Sequence, residues 1–509
     1  MSADRTLRGL IESGRDDAVA IAAHEAAPLT YAALRALVDR SVRSLNDLGV
    51  GRGDRVGIVL PNGLEMATAF LSVASAAASA PLNPAYRQEE FEFYLEDLKA
   101  KALIVEAGSV SPALAAAEKL GVKLITLTPE PEAGAGAFRL SGSATGAAAR
   151  PGPAEADDVA LILHTSGTTS RPKIVPLRHA NIWTSARNIA AALELSANDR
   201  GLIIMPLFHI HGLMAGLSAP LSRGGSVFCT RGFNALKFFA EMEEAKPTWY
   251  TAVPTMHQAI LTRAGRHKEV IARNPLRFVR SSSSSMPPTV IAELEAVFKC
   301  PVVEAYGMTE ATHQMASNPL NGVRKPGTVG LAAGPEVAIM DEAGRLLDKG
   351  ETGEVVIRGP SVTAGYENNP KANAAAFTNG WFRTGDQGVI DAEGYLSLTG
   401  RLKEIINRGG EKISPREIDE ALMNHPAVLQ AVAFALPHPM LGEDVGAAVV
   451  LREGVTATEQ ELGSFLSERL AAYKTPRKIL FLAEIPKGAT GKLQRIGLAQ
   501  KLGLGSGPV

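Results

Sequence analysis

Small hydroxyl residues, a glycine and two basic residues form an uninterrupted run at 165–173 (TSGTTSRPK), directly after the apolar residues 159–163. Because large side chains are missing, the backbone N–H groups around Gly167 stay open to an anion, and the hydroxyls add O–H donors. Lys173 adds a mobile positive charge. The order differs from the GxxxxGK[ST] motif of P-loop NTPases, so that fold does not follow. A polar surface loop is the alternative to a phosphate-binding loop made of Thr165, Ser166, Gly167, Thr168, Thr169 and Lys173.

A second cluster, at 304–310 (EAYGMTE), combines an aromatic ring, a hydroxyl and a carboxylate. These groups suit a nucleotide base, a phosphate and a hard cation, respectively. The alternative interpretation is an ordinary helix start with Thr309 as its N-cap. The candidate nucleotide-binding residues of this cluster are Tyr306, Thr309 and Glu310.

Further motifs follow towards the C-terminal end. Asp386 stands in a Thr-Gly-Asp segment and Arg401 follows a glycine, although such segments are also common in solvated turns. Lys403 and the glycine pair 409–410 come next, and a linker is the alternative interpretation of the pair. Lys492 follows two glycines in PKGATGK, which would let it act at a distance as a point charge. By itself it would be an ordinary solvated lysine.

Taken together, these motifs resemble the acyl-adenylate-forming superfamily, which includes acyl-CoA synthetases, luciferases and the adenylation domains of peptide synthetases. The resemblance extends over nearly the whole chain, with Ser170 and Ile174 in place of two usual glycines. It implies that an acid is activated with ATP and Mg²⁺ as an acyl-adenylate and is then transferred to a thiol, with coenzyme A as the co-substrate.

The resemblance also implies roles for single residues. These are adenine stacking by Tyr306, α-phosphate binding by Thr309, Mg²⁺ binding by Glu310, ribose binding by Asp386 with Arg401, bridging of carboxylate and ATP by Lys492, a hinge at Lys403, and a CoA tunnel beside Gly409 and Gly410. Glu304 and Ala305 are implied as further nucleotide-binding residues. The residues expected to act in catalysis are Lys492, Thr309, Glu310 and His209.

Polar residues occur where the superfamily lines its acyl pocket: two histidines in PLFHIHG, the serine run 281–285, and His313. A ligase for a long or aromatic acid needs an apolar pocket, because burying unpaired polar groups is costly. Segments such as EAYGMTEATHQMASNPL are similar to oxalyl-CoA synthetases, in which the residues matching His209, Ser283 and His313 hold the second carboxylate of oxalate. We therefore expect oxalate as the acid.

Three alternatives to an oxalate–CoA ligase remain open. The acid could be malonate or another short acid, although we place no arginine that would face malonate. The acceptor could be the thiol of a carrier protein instead of free CoA. The chain could also be a catalytically silent nucleotide-binding protein, which the intact set of Glu310, Asp386, Arg401 and Lys492 argues against.

The elements that must position these residues follow an α/β pattern. Apolar runs such as RVGIVLP and ALIVEAG end in turns and are followed by helical patterns, which indicates mostly parallel sheets with helices on their faces. Between 326 and 395, short strands with glycine turns indicate a small antiparallel, barrel-like part. Residues 129–156 are rich in Gly, Ala, Ser and Pro and are predicted to be a loop or linker.

The chain, with 509 residues, is too long for one hydrophobic core. We expect a large N-terminal AMP-binding domain of residues 1–402, which contains two helix-flanked sheets and the barrel-like part. A small, mobile α+β domain of residues 403–509 would carry Lys492.

Composition limits the partners and the compartment. Lysine plus arginine (52) almost balance aspartate plus glutamate (53), so we expect neither a nucleic acid nor a membrane as partner. Cys229 and Cys300 have no metal-ligand spacing and suit a reducing cytoplasm. The N-terminal segment lacks the apolar stretch of a secretory signal, and the alanine-rich residues 66–81 are too short for a membrane span. We predict a cytoplasmic enzyme whose partners are a small acid, ATP and CoA.

Overall fold

The computed structural model describes residues 5–143, 146–165, 172–486 and 495–504. Its regular elements form four sheets with helices packed between and around them. No helix within these four ranges is both long and apolar enough to cross a membrane.

The first sheet has seven strands and confirms the predicted parallel arrangement at its centre. In spatial order the strands are Phe138–Gly142, Lys123–Pro129, Ala102–Glu106, Arg55–Val59, Ala78–Pro81, Val159–Thr165 and Lys173–Arg178. The five inner strands are parallel, and each edge strand is antiparallel to its neighbour. One prediction was wrong here, because residues 138–142 form an edge strand inside the segment 129–156 that composition had indicated to be a loop.

The second sheet has nine strands and carries much of the candidate site. The order is Leu331–Ala332, His313–Ser317, Val302–Met308, Phe278–Ser281, Trp249–Ala252, Arg200–Ile203, Ser226–Cys229, Val19–Ala22 and Leu29–Thr30. From Val302–Met308 to Val19–Ala22 all pairings are parallel. Since the carboxyl ends of parallel strands meet at one edge, residues that follow these strands come close together.

Helices cover these sheets for reasons visible in the sequence. In Tyr31–Asp47 the Thr30 side chain caps the N-terminus, and buried apolar residues recur every three or four positions. Leu64–Ala74 is buried on nearly all sides, which explains its alanine- and serine-rich composition. The other α-helices are Leu7–Leu10, Gln88–Leu98, Ala113–Leu120, His179–Ala192, Ala219–Leu221, Phe238–Ala245, Pro254–Ala264, Lys268–Arg273, Pro288–Phe298, Pro370–Ala376, Pro415–Met423, Glu459–Ser467 and Leu498–Lys501. A π-helix spans Gly212–Ser218, and 3₁₀ turns span Ile11–Ser13, Pro131–Ala133, Thr309–Ala311 and Ala472–Lys474.

The third sheet has five strands and is antiparallel, as predicted for residues 326–395. Its strands are Glu336–Met340, Thr352–Arg358, Phe377–Thr378, Trp381–Ile390 and Leu396–Arg401. The last two pair so that Asp386 lies directly opposite Arg401.

The fourth sheet follows the predicted domain boundary. Its strands are Ile406–Arg408, Glu411–Ile413, Val428–His438, Gly442–Leu451 and Lys478–Phe481, all antiparallel except the last. Together with Pro415–Met423 and Glu459–Ser467 it encloses a separate hydrophobic cluster that includes Ile406, Ile418 and Val445. The boundary between residues 402 and 403, which remains a prediction, falls between the end of one sheet at Arg401 and the start of the next at Ile406.

Candidate active site

The predicted phosphate loop begins and ends on a pair of neighbouring strands. Thr165 ends one strand, Lys173 begins the next, and the two residues are directly opposite in the antiparallel register. Ile174, which replaces a usual glycine, is buried and packs in the hydrophobic core. The predicted phosphate donors Ser166, Gly167, Thr168 and Thr169 lie outside the described residues, as does Lys492.

Glu310 is a buried carboxylate with one phenol as its partner. It lies in the 3₁₀ turn Thr309–Ala311, is 5% exposed, and accepts a hydrogen bond of 2.8 Å at Oε1 from the Tyr366 hydroxyl. Burial raises the pKa of Glu310, and the Tyr366 hydrogen bond partly offsets that rise. The turn has Met308 as its N-cap and no side-chain cap, so the interpretation of Thr309 as a helix cap was wrong.

Lys173 lies beside this carboxylate. Its Nζ is 4.3 Å from the centroid of the Tyr366 ring, the same ring whose hydroxyl contacts Glu310. Burial lowers the pKa of Lys173, the charge on Glu310 opposes that change, and the charge on Lys403 adds to it. Lys173, Glu310 and the predicted hinge Lys403 are therefore close enough to interact electrostatically.

Tyr306, Asp386 and Arg401 form a second polar group. The Tyr306 hydroxyl donates to Oδ2 of Asp386, and Nε of Arg401 donates to Oδ1 at 2.8 Å. Burial raises the pKa of Tyr306 far above its usual value, so this phenol stays a donor. We name Tyr306, Glu310, Tyr366, Asp386 and Arg401 the nucleotide edge.

Glu304 and Ala305 lie on the strand that leads into the nucleotide edge, and both contact the serine run. Glu304 Oε1 accepts from the backbone N–H of Met286 at 2.9 Å, and the Ala305 carbonyl accepts from the Ser282 hydroxyl at 2.8 Å. Burial raises the pKa of Glu304 to about 7. These contacts fix the serine run against the strand; the predicted nucleotide contact of both residues remains a prediction.

The polar residues predicted for acyl binding converge around a residue that the sequence analysis missed. Arg280, on the strand Phe278–Ser281, is 0% exposed. Its guanidinium donates from Nη1 to Nε2 of His211 and from Nη2 to Nε2 of His313, at 3.3 and 3.2 Å. It also donates to Thr251 Oγ1 and Gln314 Oε1.

His211 connects this arginine to the predicted serine. Its Nδ1 lies 3.0 Å from Ser283 Oγ, its Nε2 lies 2.7 Å from Thr251 Oγ1, and its ring stacks on that of His313 at 4.8 Å. The histidine that joins Ser283 to His313 is thus His211. Half-buried His209 precedes it by two residues, with its ring 4.4 Å from that of Phe208, and its predicted role remains a prediction. We name the set His211, Thr251, Arg280, Ser283, His313 and Gln314 the acyl pocket.

Strained backbone surrounds the acyl pocket. Ser283, Thr312 and His313 have φ angles of 78°, 53° and 90°, in a region that non-glycine residues seldom adopt. The Thr312 hydroxyl donates to the Ser361 carbonyl at 2.6 Å, which helps to hold the turn. Gly307 faces it so closely that a Cβ there would lie 1.9 Å from the His313 carbonyl oxygen. Strain of about 1–3 kcal/mol per residue is typical of functional sites.

The predicted hinge and tunnel residues follow the third sheet. The backbone N–H of Leu402, next to exposed Lys403, donates to the Gly385 carbonyl at 2.9 Å. Gly409 and Gly410 form the turn between Ile406–Arg408 and Glu411–Ile413, with φ angles of 61° and 103° that explain why both are glycine.

The described ranges contain no group of three or more His, Cys, Asp or Glu side chains arranged to hold a metal ion. A single buried carboxylate such as Glu310 fits Mg²⁺, which is commonly bound by one or two carboxylates together with nucleotide phosphates and water.

Comparison with known proteins agrees with this geometry. The model of the AMP-binding enzyme family matches residues 12–367, and that of the AMP-binding enzyme C-terminal domain matches residues 417–492. The chain is 46% identical to an oxalate–CoA ligase of Arabidopsis thaliana, over 97% of this chain and 98% of that protein. It is 45% identical to an oxalate–CoA ligase of Saccharomyces cerevisiae, over 89% and 87%.

Among solved structures, ATP-bound MatB from Rhodopseudomonas palustris superimposes with a TM-score of 0.87 at 30% identity, over 98% of this chain and 99% of that one. The family model, the two relatives and the MatB structure each cover most of the chain. The chain belongs to the AMP-binding enzyme family.

Proposed function

We propose that this protein is an ATP-dependent acid–CoA ligase that forms AMP, and that its acid is oxalate. The observation that carries the choice of acid is the acyl pocket, where a fully buried arginine, two histidines and a serine converge. An apolar acyl chain would leave the Arg280 guanidinium without a counter-ion, whereas a second carboxylate would supply negative charge and accept hydrogen bonds in this pocket.

The position of the pocket supports a short acid. Only Ala311 and Thr312 separate the metal-binding candidate Glu310 from His313 of the acyl pocket. The reacting carboxylate would lie near Glu310 and the α-phosphate, so a second anionic group bound beside His313 points to a short molecule. Oxalate, with two carboxylates joined directly, meets this condition best.

In the first half-reaction, a carboxylate oxygen attacks the α-phosphate of ATP, giving the acyl-adenylate and pyrophosphate. Such a reaction asks the protein mainly for positioning and charge neutralisation. Lys173 and Lys492 would neutralise phosphate charge, Thr309 would donate a hydrogen bond to the α-phosphate, and Asp386 with Arg401 would hold the ribose. Mg²⁺ bound at Glu310 would supply further neutralisation on the phosphates.

In the second half-reaction, a thiolate attacks the acyl carbon and AMP leaves. Lys492 must withdraw before this step, which a rotation of residues 403–509 about Lys403 would accomplish. The separate hydrophobic cluster of the fourth sheet supports such a rigid rotation. Gly409 and Gly410 would then line the passage for the thiol.

The deciding experiment is thioester formation with ATP, Mg²⁺ and CoA across oxalate, malonate, acetate, a medium-chain acid and a cinnamate. Oxalate should give the highest kcat/KM. A clear preference for another acid would refute the choice of oxalate while leaving the ligase chemistry intact, and absence of pyrophosphate release with every acid would refute the ligase.

The role of Lys492 is tested by separating the half-reactions. Lys492→Ala should abolish pyrophosphate release but keep thioester formation from supplied oxalyl-adenylate, because the lysine acts only in the first step. Equal loss of both half-reactions would contradict the assignment.

Cytoplasmic residence is also part of the proposal. Cys229 and Cys300 are both unpaired and buried, and burial raises the pKa of each thiol to about 12. Such thiols are structural core residues of the kind expected in a reducing compartment.

A further inference from the structure

The guanidinium of Arg280 is buried without a carboxylate partner. It is 0% exposed, and within the described part of the chain no acidic side chain forms an ion pair or hydrogen bond with it. Its Nε has no hydrogen-bond partner among those residues either. A buried charge without a counter-ion costs several kcal/mol, so a ligand that supplies negative charge would offset a cost already present in the fold.

The contacts of Arg280 determine the protonation of two histidines. A guanidinium only donates hydrogen bonds, so His313 accepts from it at Nε2. The Nε2 of His211 lies nearer to Thr251 Oγ1 (2.7 Å) than to Arg280 Nη1 (3.3 Å), and we assign the Thr251 hydroxyl as its donor because that hydroxyl in turn accepts from Arg280. With this assignment both imidazoles are neutral, with their hydrogen on Nδ1. From His211 that hydrogen is donated to Ser283 Oγ. Ser283 Oγ therefore accepts that hydrogen bond, so its own O–H can donate to a group in the acyl pocket. The Ser283 residue is half-buried.

We propose that Arg280 is the residue that makes the acyl pocket select a dianion. It acts as a positioning residue: it supplies a fixed positive charge beneath the pocket and orients His211, His313 and Ser283 as neutral donors. This inference rests on the proposed function and extends it. The positive charge that favours the second carboxylate comes from Arg280, and not from protonated histidines.

The other groups around Arg280 are neutral. Thr251 and Gln314 carry no charge, and His257, on the helix Pro254–Ala264 beside the Arg280 backbone, has a pKa lowered by burial to about 3. Glu304, on the neighbouring strand, is in register with Ser281, so alternation places its side chain on the opposite face of the sheet from Arg280. Burial lowers the pKa of Arg280 to about 9, which leaves the guanidinium charged between pH 6 and 8.

The experiment compares oxalate with oxamate, in which an amide replaces one carboxylate. KM for oxalate and Ki for oxamate are measured from pyrophosphate release, and the ratio Ki(oxamate)/KM(oxalate) reports what the second carboxylate contributes. In Arg280→Met this ratio should fall at least tenfold, because oxalate loses the charge and oxamate never used it. Arg280→Lys should keep part of the ratio. Arg277→Met is the matched control, since Arg277 pairs with Asp199 outside the pocket and its loss should leave the ratio unchanged.

The wild-type protein provides a test that needs no variant. Its ratio should stay constant between pH 6 and 8, whereas a pocket charged by histidine would lose about tenfold per pH unit above the histidine pKa. A ratio that falls in this way, or equal weakening of oxalate and oxamate in Arg280→Met, would overturn the inference while the oxalate ligase stands. If the wild type does not turn over oxalate, the proposed function fails first.

Discussion

The nucleotide edge and the acyl pocket differ in the partners of their buried charged groups. At the nucleotide edge each carboxylate has a donor: Asp386 accepts from Tyr306 and Arg401, and Glu310 accepts from Tyr366. In the acyl pocket the only formal charge is that of Arg280, and its described partners are the neutral groups of two histidines, a threonine and a glutamine.

We therefore relate the nucleotide edge to ATP binding, which activation of every acid shares, and the acyl pocket to the recognition of one acid. If the proposed function holds, a region whose charges are already paired is pre-organised for ATP, whatever acid is bound. A region whose described residues give its cation no counter-ion would be completed by an anionic ligand, so it would discriminate between acids. Changes at the nucleotide edge should therefore reduce turnover of all acids alike, whereas changes in the acyl pocket should act on the dianion.

The largest effect is expected from Glu310→Gln. Loss of the proposed Mg²⁺-binding carboxylate should lower adenylate formation by about 10³-fold for every acid in the panel, because electrostatic stabilisation of the reacting phosphate would be lost. Pyrophosphate release under Mg²⁺ titration is the measurement, with Glu336→Gln in an exposed ion pair as the control. A loss of adenylate formation confined to oxalate would contradict the distinction between the two regions.

Glu310→Gln should not weaken the fold. Burial raises the folded-state pKa of Glu310 above its ordinary value of 4.5, so above that pH the ionised side chain destabilises the protein. The variant should therefore have a Tm at pH 8 no lower than that of the wild type. A markedly lower Tm would mean that the activity loss came from misfolding.

An intermediate effect is expected from Gly307→Ala, at the point where the two regions join. The added methyl would lie 1.9 Å from the His313 carbonyl oxygen, so the strained turn must move. Displacement of about 1 Å can cost roughly 100-fold in rate, and we expect that loss in kcat/KM for oxalate together with a lower Tm. Gly265→Ala, where no atom lies within 4 Å, is the control. Wild-type activity in Gly307→Ala would show that the turn is not held as tightly as the geometry indicates.

The smallest effect is expected from Tyr366→Phe. The Tyr366 hydroxyl lowers the pKa of Glu310 against the effect of burial, so its removal should raise that pKa further. Because Glu310, as the proposed Mg²⁺ ligand, would bind the cation only when ionised, the acid limb of the kcat/KM profile should move to higher pH. Above that limb the loss should be about fivefold, the worth of one hydrogen bond. Tyr395→Phe, whose hydroxyl contacts Val323 instead, is the control. An acid limb at the wild-type pH would show that Tyr366 does not affect the ionisation of Glu310.

Several features were predictable because they depend on local order in the chain. Alternation of apolar runs with helical patterns indicated parallel sheets, and the glycine-separated short strands indicated the antiparallel sheet that pairs Asp386 with Arg401. The strand Phe138–Gly142 was missed because its composition is that of a loop, and pairing with Lys123–Pro129 outweighed that local preference.

The sequence by itself determined the α/β fold class and the order of the nucleotide motifs, since each motif lies within a few consecutive residues. Tertiary structure alone decided that Thr251, Arg280 and Gln314 join the predicted Ser283 and His313, because these residues come from separate elements. The one local signal for Arg280 was a charged residue in an apolar strand, which by itself is ambiguous. Its meaning depends on which groups surround it, and that is set by how parallel strands bring distant residues to one edge.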